Sequence, residues 1–368
     1  MAYWGRRLIA AALMAIGGAS PATAQALVER VDQVTLDPAM FDAAFGGVSG
    51  IDHDRRRRRW VLLSDDRSDH APARFYTVRI ERRASGWRID KGRRVVLRDA
   101  GGATFPKAGT GREAVDPESI RIAPDGRSVL WTSEGDVRDG FGPAVRRSDR
   151  RGRLLDTVAL PANLVLDPAG KHGIRDNGTL EGMTHTPDGA LWLAMEAPLI
   201  EDGSPARAGN APLVRFTRMP PGKATQQFAY RLDAVPLSQH GENADNGVTE
   251  ILALDDRRML VLERSGGRNA DGRFAFHCRL YLADFTSASD VAGVDSLKDQ
   301  TAGIARKQLL LDFDTLPGDS LGNLEGMAWM PGSRDRILLV NDNNFVAGEP
   351  TRLVMLALSP TLMTQKAE

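Results

Sequence analysis

The clearest pattern in the chain runs Leu180-Glu181-Gly182-Met183, then a Pro187-Asp188-Gly189 turn, then Leu191-Trp192-Leu193-Ala194-Met195-Glu196. It predicts a short strand, a hairpin turn and a second strand that ends in an acid. Proline presets φ, aspartate bonds its own backbone and glycine tolerates positive φ, so each turn residue favours a hairpin for its own reason. The second strand is almost continuously apolar, which indicates burial on both of its faces.

This pattern occurs five times. The other four copies are anchored on Gly47-Val48-Ser49, Pro117-Glu118-Ser119, Thr249-Glu250-Ile251 and Leu324-Glu325-Gly326. The anchor positions 49, 118, 181, 250 and 325 are 69, 63, 69 and 75 residues apart, an average of 69. Each interval leaves room for two further strands, with residues 74–80 and 279–283 predicted as third strands and 95–97 and 308–311 as fourth strands. Four antiparallel strands repeated about a centre are typical of a β-propeller.

The predicted fold is therefore all-β, a β-propeller with five blades. The last third strand, at residues 352–356, is followed by almost no chain, so its blade is predicted to take its fourth strand from Leu27-Val28-Glu29-Arg30-Val31. Closing the ring in this way protects strand edges that would otherwise be free to aggregate. Two alternatives stay open. A sixth blade could lie in residues 288–322, which we interpret as an inserted loop, and a β-sandwich is the weaker competitor because it would not require the period.

The N-terminus has the pattern of an export signal. Arg6 and Arg7 precede an uncharged apolar run at 8–16, and Ala22-Thr23-Ala24 is an A-x-A cleavage pattern. We predict a signal peptide at residues 1–24, a single propeller domain at 25–368, and a periplasmic or secreted protein. An uncleaved membrane anchor is the alternative, but the apolar run is shorter than the roughly 20 residues needed to cross a bilayer.

Charge and composition argue against several classes of function. The chain has 48 Lys+Arg and 48 Asp+Glu, so it has no overall positive charge that would favour nucleic acid, and no later segment could insert stably in a membrane. Its single cysteine, Cys278, cannot form an internal disulfide, and its six histidines lack the spacing of a zinc site. We expect a monomer that is stabilised by its core.

One charge run stands out, the five arginines at 55–59 between His53-Asp54 and Trp60-Val61. We interpret it as a solvated hairpin tip that joins two strands. A polybasic patch for phosphate or lipid is the alternative.

Carboxylates recur at fixed places in the pattern. In a propeller the innermost strand starts at the end of the blade where the second strand finishes, so residues at these two places share one mouth of the channel. Acids at the strand starts are Glu118, Glu181, Glu250 and Glu325, and acids at the strand ends are Asp65, Glu134, Glu196, Glu263 and Asp342. The sequence therefore predicts that nine carboxylates face one mouth.

So many like charges would repel one another, by about 4 kcal/mol per pair at 4 Å for an effective dielectric near 20. Protonation, arginine or a metal must compensate. Oxygen ligands without a Cys or His cluster favour a hard cation, Ca²⁺ first and Mg²⁺ second. The alternative is that each acid accepts backbone N–H groups and locks one blade to the next.

Amides and arginines are predicted at the same rim. Asn177-Gly178, Asn246-Gly247 and Gly322-Asn323 precede three of the acids, while Arg67, Arg138 and Arg264 follow the acidic strand ends. A carboxylate-bound metal beside arginine is suited to hold and polarise a phosphoryl oxygen. We assign Glu181, Glu325, Arg67 and Arg264 as candidate catalytic residues.

Several of these motifs together resemble the phytase-like family described as "esterase-like activity of phytase". The resemblance is carried by Gly46–Ile51, Leu63–Arg67, Asp116–Ile120, Asn177–Gly182 and Asn323–Met327, and it spans about Phe45 to Leu356. It implies a propeller and a phosphoester-hydrolysing activity attributed to repeated acids, which correspond here to Asp65, Glu118, Glu181, Glu250, Glu325 and Asp342. The first blade departs from this pattern because Ser49 stands where the others have Glu.

Three functions remain open. The first is an extracytoplasmic metal-dependent phosphoesterase acting on a small phosphorylated or other anionic substrate. The second is a lactonase- or esterase-type propeller hydrolase that uses the same metal on a carbonyl. The third is a non-catalytic binding propeller with a structural metal.

Overall fold

Five four-stranded antiparallel sheets and one small hairpin account for the strands of this protein in a computed structural model that describes residues 27–364. The predicted signal peptide and its cleavage site lie outside the described residues. Between residues 27 and 364, no helix combines the length and apolar character needed to cross a bilayer.

The sheets follow one another along the chain as blades, except that β1 (Val28–Thr35) joins the last one. Blade 1 contains β2 (Val48–Asp54), β3 (Arg59–Ser64), β4 (Arg74–Val78) and β7 (Arg93–Val96), with the hairpin β5 (Ile80–Arg83) and β6 (Gly86–Ile89) between its last two strands. Blade 2 contains β8 (Pro117–Ile122), β9 (Ser128–Ser133), β10 (Ala144–Asp149) and β11 (Leu154–Val158). Blade 3 contains β12 (Leu180–His185), β13 (Leu191–Met195), β14 (Leu213–Met219) and β15 (Gln226–Arg231).

Blade 4 contains β16 (His240–Ala253), β17 (Arg258–Arg268), β18 (Phe274–Asp284) and β19 (Arg306–Asp312), and blade 5 contains β20 (Asn323–Trp329), β21 (Arg336–Asp342), β22 (Arg352–Leu358) and β1. Four 3-10 turns lie at Pro38–Met40, Val137–Asp139, Ala162–Leu164 and Phe313–Thr315, and one helical turn, α1, at Pro360–Thr364.

The five-bladed prediction is confirmed, and so is the closure of the ring between the two ends of the chain. Strand β1 pairs antiparallel with β22, from Val28 opposite Leu358 to Thr35 opposite Arg352. The closing strand is longer than the predicted residues 27–31. Residues 288–322 contain only β19 and a 3-10 turn, so they are not a sixth blade. The predicted third strand at 74–80 stops at Val78, because Ile80 begins the β5–β6 hairpin.

The five first strands surround the channel and touch one another closely. Strand β2 lies between β20 and β8, and β12 lies between β8 and β16. A Cβ on Gly50 would come within 2.8 Å of the Glu118 carbonyl oxygen, and one on Gly326 within 2.7 Å of the Ser49 carbonyl oxygen. Glycine at these places lets neighbouring backbones approach, while the apolar side chains pack between the blades around buried residues such as Trp60, Trp131 and Trp192.

The pairing in blade 4 corrects the sequence alignment by one residue. In blade 3, Leu180 lies opposite Met195, and the next residues on the two strands are Glu181 and Glu196. In blade 4, Val248 lies opposite Glu263, and the next residues are Thr249 and Arg264. Thr249 and Arg264 are therefore the equivalents of Glu181 and Glu196. The anchoring of blade 4 on Glu250 and Glu263 was therefore wrong. In both blades a bulge at the first-strand position inserts one unpaired residue, which no turn signal in the sequence reveals.

Candidate metal centre

β-Bulges position the first row of side chains at the mouth. The pairing register shifts at Ser49, Glu181 and Glu325, each of which is the extra residue on its first strand. Strand β8 is irregular between Pro117 and Ile120, where Glu118 lies. A bulge bends the strand and changes the direction of a side chain, so the directions of Glu118, Glu181 and Glu325 are set by irregular places in their strands.

The second row consists of the residues that follow or end the second strands. Asp65, Glu134, Glu196 and Asp342 lie there in blades 1, 2, 3 and 5. The backbone N–H of Asp65 donates to the Gly47 carbonyl at 2.8 Å, and that of Glu134 to the Asp116 carbonyl at 2.9 Å, so both are fixed to the strand opposite. Gly47 has φ +59°, and a Cβ there would lie 2.2 Å from the Asp65 carboxylate.

Carboxylates from the two rows and from Asp116 lie in three triads around the mouth, and two of these triads share Glu134. Within each triad, one oxygen atom per residue lies within 4.8 Å of the other two. The triads are Asp65, Glu325 and Asp342; Asp116, Glu118 and Glu134; and Glu134, Glu181 and Glu196. Seven of the nine predicted acids therefore converge. All of these groups except Asp65, which is half-buried, are less than a tenth exposed.

Asp116 is the member that sequence reasoning missed. It immediately precedes Pro117, outside the first strand, and the repeat directed attention to strand ends rather than to the loop before them. Its carboxylate lies 3.4 Å from Nη1 of Arg67. Nη2 of the same arginine lies 3.8 Å from the carboxylate of Asp136. The position of an acid directly before Pro117-Glu118 was the one signal in the sequence that could have identified Asp116 as part of the site.

Glu263 does not reach the mouth because of the one-residue shift in blade 4. It accepts hydrogen bonds from Tyr230 Oη at 2.7 Å, from Asn246 Nδ2 at 2.8 Å and from the Asp233 N–H at 3.0 Å. Lys307 Nζ completes its surroundings. It is a satisfied carboxylate between the strands of blade 4.

Glu250 is buried between the first strands of three blades and does not join the triads. Arg121 Nη2 lies 2.7 Å from its Oε2, and Ser119 Oγ and the Met183 N–H donate to it at 3.0 and 3.1 Å. It occupies the position taken by Gly50, Gly182 and Gly326 in other blades. Its bonds connect blade 4 to blades 2 and 3, which is the blade-locking role considered as the alternative for each acid.

Arg264 takes the place of the missing acid of blade 4. Its Nη2 donates to Glu196 Oε1 at 2.6 Å, and its guanidinium lies 5.7 Å from the centre of the Phe276 ring. Burial alone would lower the pKa of Arg264, but Glu196 and Glu325 outweigh it and raise that pKa. Arg138, the third predicted arginine, instead bonds Asp176 at 2.6 Å and is largely exposed.

Burial is the largest cause of the abnormal pKa values in the triads, and neighbouring carboxylates add to it. The pKa values of Asp65, Glu118 and Glu181 are raised well above their usual range. The pKa is raised to about 8 for Glu325, to about 7 for Glu134, Glu196 and Asp116, and to about 6 for Asp342. Eight carboxyl groups lie near only two arginines, Arg264 and Arg67, so full ionisation of the cluster would leave more negative charge than the arginines offset.

The donor set fits a hard divalent cation, and two orphaned oxygens support this fit. Asn323 Nδ2 donates to Glu325 Oε1 at 2.7 Å, yet Asn323 Oδ1 and Glu325 Oε2 are buried without a hydrogen-bond partner. Buried acceptors normally have a donor, and an oxygen-bound cation would satisfy both. Glu134 is different, since its Oε1 accepts the N–H groups of Gly178, at 2.9 Å, and Thr179.

A smaller group of possible ligands lies on the outer part of blade 4. His277, Asp312 and Asp314 bring ligand atoms within 4.8 Å of one another. Arg279 Nε also donates to Asp312 at 3.2 Å, so this group already has a cation.

Comparison with known proteins places the chain in a family but says little about its chemistry. No curated protein matches it. Among solved structures, it is similar to the catalytic domain of a GH62 α-L-arabinofuranosidase from Coprinopsis cinerea, with 13% identity, a TM-score of 0.36, and coverage of 87% of this chain and 96% of the other. An α-L-arabinofuranosidase from Podospora anserina gives 12% identity, a TM-score of 0.35, and coverage of 87% and 95%. Similarity this low carries no argument about activity.

The family model described as "Phytase-like: Esterase-like activity of phytase" matches residues 43–345. That segment begins just before the first blade and ends just after Asp342, so it includes all three carboxylate triads. The chain therefore belongs to the phytase-like family.

Proposed function

We propose that this protein is a metal-dependent propeller hydrolase that acts on phosphoester bonds of a small anionic substrate, outside the cytoplasm. The observation that carries the proposal is the set of three buried carboxylate triads beside Arg264, with the unpaired oxygens of Glu325 and Asn323 among them. Family membership supports a hydrolase. The sequence pattern of residues 1–24 supports export, and we expect the mature protein to act as a monomer.

Asp65, Glu325 and Asp342, with Asn323 Oδ1, are the residues that would hold the cation, with Ca²⁺ expected before Mg²⁺. When bound, such an ion supplies Lewis-acid polarisation and lowers the pKa of water. Arg67 is about one-third exposed at the rim, where it would bind the incoming anion. Arg264 is only partly exposed and lies 2.6 Å from Glu196, where it would stabilise negative charge that develops on the substrate.

Glu181 is suited to move the proton. Burial and the charge of Glu196 raise its pKa well above the usual value, so it retains a proton at pH values where an exposed glutamate has lost it. A group of this kind donates to a leaving oxygen as a general acid or, once ionised, accepts a proton from water. Glu181 stays assigned to catalysis on these grounds, and Glu325 stays assigned through the cation that it would hold.

A lactonase- or esterase-type reaction is the second candidate, and the esterase-like description of the family favours it. The same cation and the same arginines would then act on a carbonyl oxygen instead of a phosphoryl oxygen.

Turnover of phosphomonoester, phosphodiester and lactone panels, with chelator and with added Ca²⁺ or Mg²⁺, tests the proposal. We expect phosphoester hydrolysis that is lost with chelator and restored by Ca²⁺, and a loss of at least about 100-fold in kcat/KM in E325Q, because removing one element of charge stabilisation costs on that scale. E349Q is the matched control, since Glu349 is exposed on the loop that follows Asp342. Metal-independent activity that E325Q retains would contradict the proposal, and turnover of lactones alone would favour the second candidate.

A further inference from the structure

A groove lined almost entirely by cations lies along the outer strand of blade 1 and includes two turns at the ends of the blades farthest from the carboxylate triads. The turn between β2 and β3 contributes Arg57 and Arg59, residues 91–98 contribute four more arginines and lysines, and the turn between β10 and β11 contributes Arg150 and Arg151. These turns join the far ends of strands whose other ends form the mouth. The groove has a volume of about 740 Å³, and no acidic side chain lines it.

A buried carboxylate fixes two of these arginines. Asp54 is fully buried, accepts the N–H groups of Arg56 and Arg57 at 3.0 Å each, and contacts the side chains of both Arg57 and Arg150. Arg57 also donates to the Gly126 carbonyl at 3.1 Å. Side chains from blades 1 and 2 are therefore held in place before any ligand arrives, which reduces the entropy that binding would cost.

Half of the eight cations that line the groove have no hydrogen-bond or ion-pair partner for their side chains among the described residues. Arg59, Lys91, Arg93 and Arg151 are exposed, and their side chains form no ion pair within residues 27–364. A solvated protein surface normally intersperses both signs of charge, and the chain as a whole is neutral. Like charges gathered in a concave site instead concentrate an anionic ligand there.

We propose that this groove binds a linear polyanion with closely spaced phosphate groups. Arginine dominates the lining, and its planar guanidinium matches phosphate oxygens in pairs. Val95, Val96 and Thr77 are the remaining lining residues, so the groove offers no aromatic ring on which a nucleic-acid base could stack. Its concave shape and small volume suit a flexible phosphate chain better than a flat lipid surface. The hairpin tip at 55–59 is thus solvated, as the sequence indicated, and it is also one wall of this site.

Binding of fluorescently labelled inorganic polyphosphate to metal-stripped protein tests the proposal without the carboxylate site. We expect binding that weakens steeply with salt, because each arginine–phosphate contact releases counterions. The double variant R93Q/R151Q removes two exposed groove charges and should weaken binding by at least about tenfold, which corresponds to about 1.4 kcal/mol. R112Q/R273Q removes two exposed charges outside the groove and should stay within about twofold of the wild type.

Equal binding by R93Q/R151Q and the wild type would overturn the assignment, and so would the absence of binding at low salt. Single-stranded DNA of the same charge, or vesicles rich in anionic phospholipid, are the competitors. If either binds the groove more tightly than polyphosphate, the ligand class is wrong. Since the test uses protein without metal and no turnover, its result is independent of the proposed hydrolase activity.

Discussion

At the scale of single residues, the hydrogen bond between Asn323 and Glu325 explains where a cation would be most needed. The bond uses Oε1 of Glu325 and the amino group of Asn323, and it leaves Glu325 Oε2 and Asn323 Oδ1 without a donor. Asp342 and Asp65 lie in the same triad, so these unpaired oxygens lie beside additional negative charge. Burial, and after it the charge of Asp342, raises the pKa of Glu325 to about 8, so protonation relieves part of the repulsion.

Calcium or magnesium should raise the melting temperature of the chelator-treated protein. A ligand that binds only the folded state stabilises it by RT ln(1 + [L]/Kd), about 2.7 kcal/mol at a hundredfold excess over Kd. The double variant E181Q/E325Q keeps the shape of both side chains but removes their charge, so most of the metal-dependent increment should disappear. Differential scanning calorimetry at matched ionic strength measures it.

Glu250 supplies the internal control for that experiment. E250Q leaves Arg121 buried without its charged partner, and it should destabilise the protein by about 3 kcal/mol. Calcium should nevertheless raise the melting temperature of E250Q by as much as that of the wild type, because Glu250 lies outside the triads. A melting temperature that responds to neither cation nor chelator would show that the acids are structural acceptors.

At the scale of strands, bulges and glycines determine how closely the first strands surround the channel. Gly326 lies next to a bulge, and a Cβ there would come within 2.7 Å of the Ser49 carbonyl oxygen of blade 1. That oxygen belongs to the backbone of the neighbouring blade, so it cannot rotate away. The spacing of the first strands and the convergence of the acids depend on the same glycine.

Gly326→Ala should lower the free energy of unfolding by about 1–3 kcal/mol, since the added methyl forces a backbone shift in a packed core. Gly293→Ala is the matched control, because a Cβ at Gly293 meets nothing within 4 Å and its φ is not positive. Urea unfolding followed by tryptophan fluorescence compares the two. Equal stability of both variants would mean that the first strands tolerate a wider ring.

The strands also show which features the sequence could predict. Turn residues and buried apolar runs recur once in every blade. The sequence could therefore predict the number of blades, the order of the strands and the pairing of the N-terminal strand with the last blade. The bulge in blade 4 could not be predicted from the sequence. Thr249-Glu250 was aligned with Leu180-Glu181, but the strand pairing shows that Thr249 is the extra residue and is therefore the equivalent of Glu181. Arg264 therefore lies where an acid was predicted. Asp116 was missed because it belongs to a loop rather than to the repeated strands.

At the scale of the whole molecule, the clustered acids link stability to pH. A carboxyl group whose pKa is raised by folding contributes stability that is fully present below its unfolded pKa, near 4.5 for glutamate, and is lost as pH rises through the folded pKa. The folded pKa values lie at about 6 for Asp342, about 7 for Glu134 and Glu196, and about 8 for Glu325. The relevant window thus extends from about pH 4.5 to about pH 8.

The metal-free protein should therefore lose stability steadily between pH 5 and pH 8, and saturating calcium should flatten this dependence. Measurements begin at pH 5 because groups with a lowered pKa, such as Asp66, lose their contribution only at more acid pH. Chemical denaturation at each pH, with and without calcium, gives the two curves. Parallel curves would indicate that the cation does not bind near the titrating acids.

The pairing of β1 with β22 also determines when the ring can close during folding. The two strands are separated by more than 300 residues of chain, so their contact is the least local in the molecule, and contacts of this kind are slow to form because a long loop must be closed first. The strands of each of blades 1 to 4 lie close together in the sequence, so these blades can form as the chain appears, whereas blade 5 must wait for both ends. A chain that emerges N-terminus first thus carries an unpaired first strand until its last strand arrives, and the step that completes the molecule is the meeting of its two ends.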